Sequence, residues 1–324
     1  MTTTSSWLHK NEAAPEPRRG RPGLAKLGQR LRSIIYMAGS VRPGRLATAT
    51  QRSLLDLPLE RDWTLLDCWH GHAGQLAEAI DSAELQVRIL INQQGVAPTT
   101  VAGNGRVRMQ VERDPQEYRG TAGLLRDATV DYASDDWVLV VGGVQWPVRP
   151  LVDMAEQLAE AGSDVALLAQ RDGTPCHLML VRCGLLRQIK ARGFLDVKEQ
   201  WLSEVAEQRR VVALEQTAPA LVPVRTRADY LRAVRTHHFQ QRGVADGNPF
   251  AEYWQPTFSL IERGGSVAAT ARIHDSVVLA GGVVGEGATL VHSVIGSGGS
   301  AGAHAMLVDQ VVGRQKPTRT GASG

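Results

Sequence analysis

The chain has 324 residues, 43% of them hydrophobic, and a formal net charge of +3 at pH 7. This length fits one large α/β domain with a smaller appended one, and the apolar content suffices for a packed core. The interspersed charges disfavour nucleic acid as a partner, no apolar run is long enough to cross a membrane, and three cysteines without CxxC spacing disfavour a zinc site. We therefore expect a cytoplasmic protein.

Residues 1–32 are rich in Thr, Ser, Pro, Gly and Arg and carry little apolar material. Such a segment cannot bury enough surface to offset the entropy lost on ordering. The sequence predicts a disordered basic tail over residues 1–32, and a second disordered tail over 314–324. The RRGRP and GQRLR clusters belong to a solvated leader in this interpretation, with contact to an anionic surface as the alternative.

Short apolar runs alternate with segments of helical periodicity between residues 33 and 252. The runs SIIYMAG, LQVRILIN, WVLVVGG, DVALLAQ and HLMLVRC predict strands. The segments LLDCWHGHAGQLAEAI, TAGLLRDATVDYA and PLVDMAEQLAEAG predict helices. Strands joined by single helices form parallel βαβ units. The pattern thus predicts a doubly wound, mostly parallel α/β sheet that binds its ligand beyond the carboxyl ends of the strands.

Residues 253–313 have no helical period and are dense in glycine. Their apolar residues recur six apart in three runs joined by five-residue steps: Val267, Ile273 and Leu279, then Val284 and Leu290, then Ile295, Ala301 and Leu307. This period is typical of a parallel β-helix, here of at most three triangular coils. Because so short a solenoid is usually capped or docked, a second copy or an active paralogue is a candidate partner through it.

The first motif with chemical content is IIYMAGSVRPGRL, at residues 34–46. It predicts a strand followed by a glycine-containing turn. The small residues Ala38, Gly39 and Ser40 would let backbone N–H groups approach a phosphate, and Arg45 would contact its oxygens. An ordinary strand-to-helix turn explains the same pattern.

Two further motifs begin predicted helices. YRGTAGLLRDA, at residues 118–128, contains the turn Gly120, Thr121, Ala122 and Gly123. Without a ligand, Thr121 would serve as a helix N-cap. GFLDVKEQWL and VPVRTRADYL, at residues 193–202 and 222–231, have Asp196 and Thr226 as candidate caps.

An α/β domain with these three motifs, followed by six-residue repeats, resembles the sugar-nucleotide pyrophosphorylases, and among them the mannose-1-phosphate guanylyltransferases. The resemblance covers the chain from about Ser33 onward. It implies a nucleotidyltransferase domain followed by a left-handed β-helix. It also implies that the turn at Ala38, Gly39 and Ser40, with Arg45, contacts the triphosphate, and that residues 120–123 contact the nucleobase. Arg52, in TQRSLLDL, stands in for the family's phosphate-binding lysine.

Both metal-binding acids of that family are replaced in this chain. In the family, the strand equivalent to WVLVVGG ends in Asn-Gly-Asp, and this aspartate and one in the closing WxDIGTP motif hold Mg²⁺. Here the two positions are Val144 and Pro223. Because Mg²⁺ requires hard oxygen ligands, we predict no metal site and expect Mg²⁺ only if the protein is active. Among nearby acids, Asp135 and Asp136 precede the strand, at its wrong end for a site.

The sequence supports a silent homologue that binds a nucleotide or nucleotide-sugar and acts as a sensor, regulatory subunit or scaffold. The alternative is an active sugar-1-phosphate nucleotidyltransferase with atypical metal ligation. In that case Arg45 and Arg52 would stabilise the transferred charge. A third hypothesis is a hexapeptide acyltransferase with His292 or His304 as general base, but the predicted coils are too few for that class of enzyme.

Overall fold

A computed structural model describes residues 21–39, 44–99, 105–114, 120–190, 193–208, 211–242 and 258–314. The helices of the α/β part are α1 (Pro22–Arg30), α2 (Arg45–Thr50), α3 (Leu65–Ala79), α4 (Gly120–Ala128), α5 (Leu151–Glu160), α6 (Cys183–Leu186), α7 (Leu202–Gln208) and α8 (Arg227–Arg242). A 3₁₀ turn (Leu54–Asp56) follows α2, and a π-helical turn (Val197–Trp201) leads into α7.

The strands of this part are β1 (Leu31–Met37), β2 (Pro58–Glu60), β3 (Trp63–Thr64), β4 (Leu85–Ile91), β5 (Val107–Arg113), β6 (Trp137–Gly142), β7 (Gln145–Pro147), β8 (Val165–Ala169), β9 (Pro175–Arg182), β10 (Val211–Glu215) and β11 (Leu221–Pro223). Seven of them form one sheet in the order β10-β8-β9-β6-β1-β4-β5. All pairs in it are parallel except those made by β9. The prediction of a mostly parallel α/β sheet is confirmed.

Apolar side chains cover both faces of this sheet. One face packs against α1, α3 and α5, and the other against α4, α6 and the π-helical turn. Alternate residues of β1 therefore pack into different cores. Ile34 and Tyr36 belong to the first core, and Ile35 and Met37 belong to the second. This arrangement explains why the central strands are continuous apolar runs and why the sheet is doubly wound.

The predicted disordered tail over residues 1–32 is corrected for residues 21–32. This stretch forms α1 and the beginning of β1. Leu24 and Leu27 lie on one helix face and are buried against the core, and Arg21 forms ion pairs with Asp153 and Glu156 of α5. Tertiary packing of two leucines thus orders a segment whose average composition is polar. Residues 1–20 and 315–324 lie outside the described residues.

Ten short strands follow in residues 258–314, which we call the coil region: β12 (Ser259–Ile261), β13 (Ser266–Val267), β14 (Arg272–His274), β15 (Ser276–Val278), β16 (Val283–Val284), β17 (Thr289–Val291), β18 (Val294–Ile295), β19 (Ser300–Ala301), β20 (Met306–Val308) and β21 (Val311–Val312). They form three parallel sheets, β12-β15-β18-β21, β13-β16-β19 and β14-β17-β20. Partners are 17 residues apart, as in Ser259 with Ser276. This arrangement is consistent with the predicted β-helix. Its handedness stays a prediction.

The coil region packs on the α/β part through α2 and α8. Arg52, just after α2, donates from Nη1 and Nη2 to the two carboxylate oxygens of Glu262, at 2.8 and 2.9 Å. Arg235 of α8 pairs with Asp275 at 2.6 Å. A Cβ on Gly313 would lie 2.3 Å from the Ala49 carbonyl oxygen, so only glycine allows this approach of the last coil to α2.

None of the described helices is both long enough and apolar enough to span a membrane. Cys68, Cys176 and Cys183 are buried free thiols. Burial raises the pKa of Cys68 above its usual range and that of Cys183 to about 12, which disfavours the reactive thiolate form.

Candidate functional site

The carboxyl ends of β1, β4 and β6 meet at one edge of the sheet, where the sequence predicts a ligand. The backbone N–H groups of Ala38 and Gly39 donate to the carbonyl of Leu90, at 2.9 and 3.1 Å. A Cβ on Gly39 would lie 2.7 Å from the nitrogen of Asn92, so glycine permits close contact with the end of β4. Ser40, predicted beside them, lies outside the described residues. A phosphate contact by this turn stays a prediction.

The predicted nucleobase turn begins α4 and packs against residues 195–197. Gly120 has a φ of +72°, and a Cβ there would lie 2.4 Å from the Leu195 carbonyl oxygen. Ala122 N donates to the same oxygen at 3.0 Å. Ala122 and Gly123 are buried. The turn therefore fixes the position of the π-helical turn, and its contact with a base stays a prediction.

The hydroxyl of Thr121 joins α4 to the π-helical turn. Its Oγ1 donates to Asp196 Oδ2 at 3.0 Å and accepts from Val197 N at 2.9 Å. Asp196 is the N-cap of this turn and accepts from the nitrogens of Lys198 and Glu199. The predicted cap at Asp196 is confirmed. It orients Lys198, which lies two residues further along the chain.

The two positions without the family's acids come together at this edge. Strands β7 and β11 pair antiparallel, with Pro223 opposite Gln145, and Val224 N donates to the Val144 carbonyl at 2.9 Å. Val144 is buried. Pairing of β7 with β11 therefore brings two distant segments of the chain to one place, and neither position offers a carboxylate.

Three nitrogen-bearing side chains gather beside them, His177, Lys198 and Arg225. Lys198 Nζ lies 2.8 Å from both ring nitrogens of His177. A Cβ on Gly142 would lie 3.1 Å from His177 Nδ1, and one on Gly143 would lie 3.0 Å from Arg225 Nη2. Two successive glycines thus make room for an imidazole and a guanidinium at the end of β6.

The positive charges in this cluster repel one another. Desolvation, and then Lys198 and Arg225, lower the pKa of His177 to about 4, so its ring is neutral at pH 7. Desolvation and Arg225 also lower the pKa of Lys198, against the opposing effect of Asp196. Within the described part of the chain, no carboxylate lies within 4 Å of a nitrogen of the three side chains.

Sequence reasoning missed all three residues as a site. Lys198 and Arg225 lie within DVKEQWL and VPVRTRADYL, and Arg225 follows Pro223 by two residues. A basic residue so close to a position where the resembled family has an acid was the available signal. His177 carried none, because its place depends on the antiparallel return of β9.

The two arginines predicted to bind phosphate differ in their surroundings. Arg45 is the first residue of α2 and is exposed, with no hydrogen bond or ion pair to other described residues. Arg52 is engaged by Glu262, by Ser297 Oγ at 3.3 Å and by the Asp56 carbonyl at 3.3 Å. Its guanidinium therefore joins α2 to the coil region, and its phosphate contact stays a prediction.

The residues at the edge do not fit Mg²⁺. Among the described residues, no group of three or more His, Cys, Asp or Glu side chains could hold a metal ion. The side chains that lie against the Cβ positions of Gly142 and Gly143, those of His177 and Arg225, offer nitrogen, whereas Mg²⁺ takes oxygen ligands.

The histidines weighed for acyl transfer lie at exposed turns of the coil region. His292 and His304 have φ values of +46° and +57°. His292 Nε2 is 3.5 Å from Asp275 Oδ2 and its Nδ1 is 3.8 Å from Asp309 Oδ1, while Arg227 pairs with Asp309. These contacts link neighbouring coils to α8.

A cavity of about 560 Å³ lies away from this edge. It is lined by Glu60, Arg61, His238, Ser259, Leu260, Ile261, Glu262, Gly264 and Gly265. Its walls join the β2–β3 hairpin, α8 and the first coil. We assign the candidate site to the sheet edge because His177, Lys198 and Arg225, from three separate segments, converge there without a carboxylate partner among the described residues.

The chain matches no family model and no curated protein sequence. Among solved structures it is similar to the crystal structure of Rv0371c from Mycobacterium tuberculosis H37Rv. The two are 19% identical, the match covers 63% of this chain and 98% of that chain, and the TM-score is 0.43. This is a distant likeness of fold.

Proposed function

We propose that this protein binds a nucleotide or nucleotide-sugar at the carboxyl edge of its sheet and that its nucleotidyltransferase activity is lost or strongly reduced. The observation that carries the proposal is the pairing of β7 with β11, which joins Val144 and Pro223 at that edge without a carboxylate. Nucleotidyl transfer relies on neutralising phosphate charge by a bound metal. Removing one such contribution commonly costs about a hundredfold to a thousandfold in rate.

Thermal unfolding of the full chain tests the binding half of the proposal. The ligands are a panel of NTPs, NDP-sugars and sugar 1-phosphates, each with and without Mg²⁺. A ligand at a hundred times its Kd adds about 2.7 kcal/mol of stability, a readily measured rise in Tm. We expect such a rise with one NTP and its NDP-sugar. No rise with any member of the panel would overturn the proposal.

A matched pair of variants locates the site. Arg45→Ala removes an exposed cation at the start of α2, beside the predicted phosphate turn. Lys26→Ala removes an exposed cation from α1 and serves as the control. The ligand-induced rise in Tm should shrink in the first variant and persist in the second.

Turnover assays with the identified ligands test the catalytic half. We expect no formation of NDP-sugar from NTP and sugar 1-phosphate, with or without Mg²⁺. Turnover that requires Mg²⁺ would instead establish the active enzyme with atypical metal ligation.

A further inference from the structure

The side chains at the carboxyl edge carry positive charge where a metal-dependent site would carry negative charge. Arg225 lies two residues after Pro223, and its Nη2 lies against Gly143, the residue before Val144. Lys198 reaches the same edge from the cap at Asp196. One lysine and one arginine together supply two positive charges, the same charge as one Mg²⁺ ion.

The cluster is built to hold these charges close together rather than to neutralise them. Gly142 and Gly143 leave space for His177 and Arg225. His177 has a φ of +61°, a left-handed conformation that costs a non-glycine residue free energy. Asp196, two residues before Lys198, accepts from Thr121 Oγ1 and from two backbone nitrogens.

Desolvation and then the like charge of Arg225 lower the pKa of Lys198, so its charged form is held at a cost. A bound anion reverses this effect, since it stabilises the charged forms. Arginine offers a planar fork of donors that matches phosphate oxygens, and lysine offers a compact point charge. A neutral histidine adds one N–H donor.

We propose that His177, Lys198 and Arg225 form a phosphate clamp that binds the diphosphate of the nucleotide ligand without a divalent cation. The identity of that ligand as a nucleotide rests on the function proposed above, whereas the clamp itself is a property of the three side chains. The class of anion is a diphosphate, because Lys198 and Arg225 place two cations at one site, one for each phosphoryl group.

Inorganic pyrophosphate is the probe, measured by isothermal titration calorimetry on the full chain in EDTA and again with excess Mg²⁺. We expect binding in EDTA, and weaker binding with Mg²⁺, because the metal complex carries less negative charge and meets the cationic clamp. Binding that occurs only with Mg²⁺ would overturn the clamp.

Two neutral substitutions, Lys198→Gln and Arg225→Gln, test the residues. Each should raise the Kd for pyrophosphate about tenfold or more, as expected for losing a hydrogen bond from a charged group. Arg171→Gln is the matched control, since Arg171 is 88% exposed on the β8–β9 loop and its loss changes the net charge equally. Its Kd should stay within about twofold. An equal loss in all three variants would contradict the proposal and reduce the effect to net charge.

Unfolding of the same variants without ligand checks that they fold. Removing one of two like charges that repel each other should leave the Tm unchanged or raise it.

The experiments distinguish failure of the clamp from failure of the nucleotide function. If pyrophosphate binds through Lys198 and Arg225 but no nucleotide binds, the clamp stands and the nucleotide function fails. If a nucleotide binds equally well to Lys198→Gln, Arg225→Gln and the unaltered protein, the function stands and the clamp fails.

Discussion

Basic side chains are paired with carboxylates in one region of this molecule and lack carboxylate partners among the described residues of another. Where the α/β part contacts the coil region, the arginines are paired with carboxylates: Arg52 with Glu262, Arg227 with Asp309, Arg235 with Asp275 and Arg263 with Asp62. At the carboxyl edge of the sheet, Lys198 and Arg225 have no such partner among the described residues. Paired charges hold two parts of a protein together, whereas unpaired, crowded charges leave binding capacity for an anion.

Loss of one of these ion pairs should change stability the most. Arg52→Met leaves the half-buried carboxylate of Glu262 without its cationic partner and should lower the free energy of unfolding by about 3 kcal/mol in urea titrations. Arg263→Met is the control, because Arg263 is 77% exposed and its pair with Asp62 should be worth less than about 1 kcal/mol.

The same Arg52 variant also tests whether Arg52 contacts phosphate or only joins α2 to the coil region. If Arg52 only joins α2 to the coil region, its loss leaves the affinity for pyrophosphate unchanged in the folded protein. A large loss of affinity would restore the phosphate contact that the sequence predicts for it.

A smaller effect is expected on the side of the candidate site. Gly120→Ala places a Cβ at a φ of +72°, 2.4 Å from the Leu195 carbonyl oxygen. Strain and overlap together should cost about 2 kcal/mol in unfolding free energy and displace the turn that carries Lys198. In Gly173→Ala the φ is +82° but no atom lies within 4 Å, so only strain remains, about 1 kcal/mol. Equal costs in the two variants would argue against tight packing at Gly120.

The effect that is smallest at neutral pH is the pH dependence of stability, which develops only in acid. The folded-state pKa of His177 is about 4 and its ordinary value is 6.5, so between these values the unfolded chain binds more protons. Stability should therefore fall as the pH drops from 6.5 to 4, with a slope below the full value of about 1.4 kcal/mol per pH unit because solvent screens the partly exposed ring, and be unaffected by this residue above 6.5.

His177→Asn should reduce that slope in urea titrations at a series of pH values. Asparagine is chosen because it tolerates the left-handed backbone at this position. Part of the slope should remain, since burial also lowers the pKa of His72 to about 4. An identical slope in the variant and the unaltered protein would show that His177 is not held neutral by its neighbours.

The fold was largely predictable where burial dominates the sequence. Continuous apolar runs gave the five central strands, and the six-residue period gave the 17-residue coils, because 6, 6 and 5 residues make one turn. Strands β5 and β10 were missed, since they lie at the edges of the sheet and mix charged with apolar residues. Helix α1 was missed because two leucines in a polar segment are decisive only once α5 packs against them.

The candidate site was predictable only in part. Motif spacing located Val144 and Pro223, the two positions that the resemblance aligns with acids. The cluster of His177, Lys198 and Arg225 was not, because three strands or turns far apart in the chain meet only through the pairing of β9 with β6 and of β11 with β7. Local spacing carries no information on such convergence.

The segment from α2 to Arg52 also fixes the length of the coil region, because it contacts both the first and the last coil. Arg52 holds Glu262 in the first coil, while the Ala49 carbonyl lies against Gly313 in the last. Adding one 17-residue coil between them would move these contacts apart by about 4.8 Å, the spacing of neighbouring strands. One contact would then break. Insertion of a whole coil, harmless in an isolated solenoid, should therefore cost this protein one of its two contacts with the segment from α2 to Arg52.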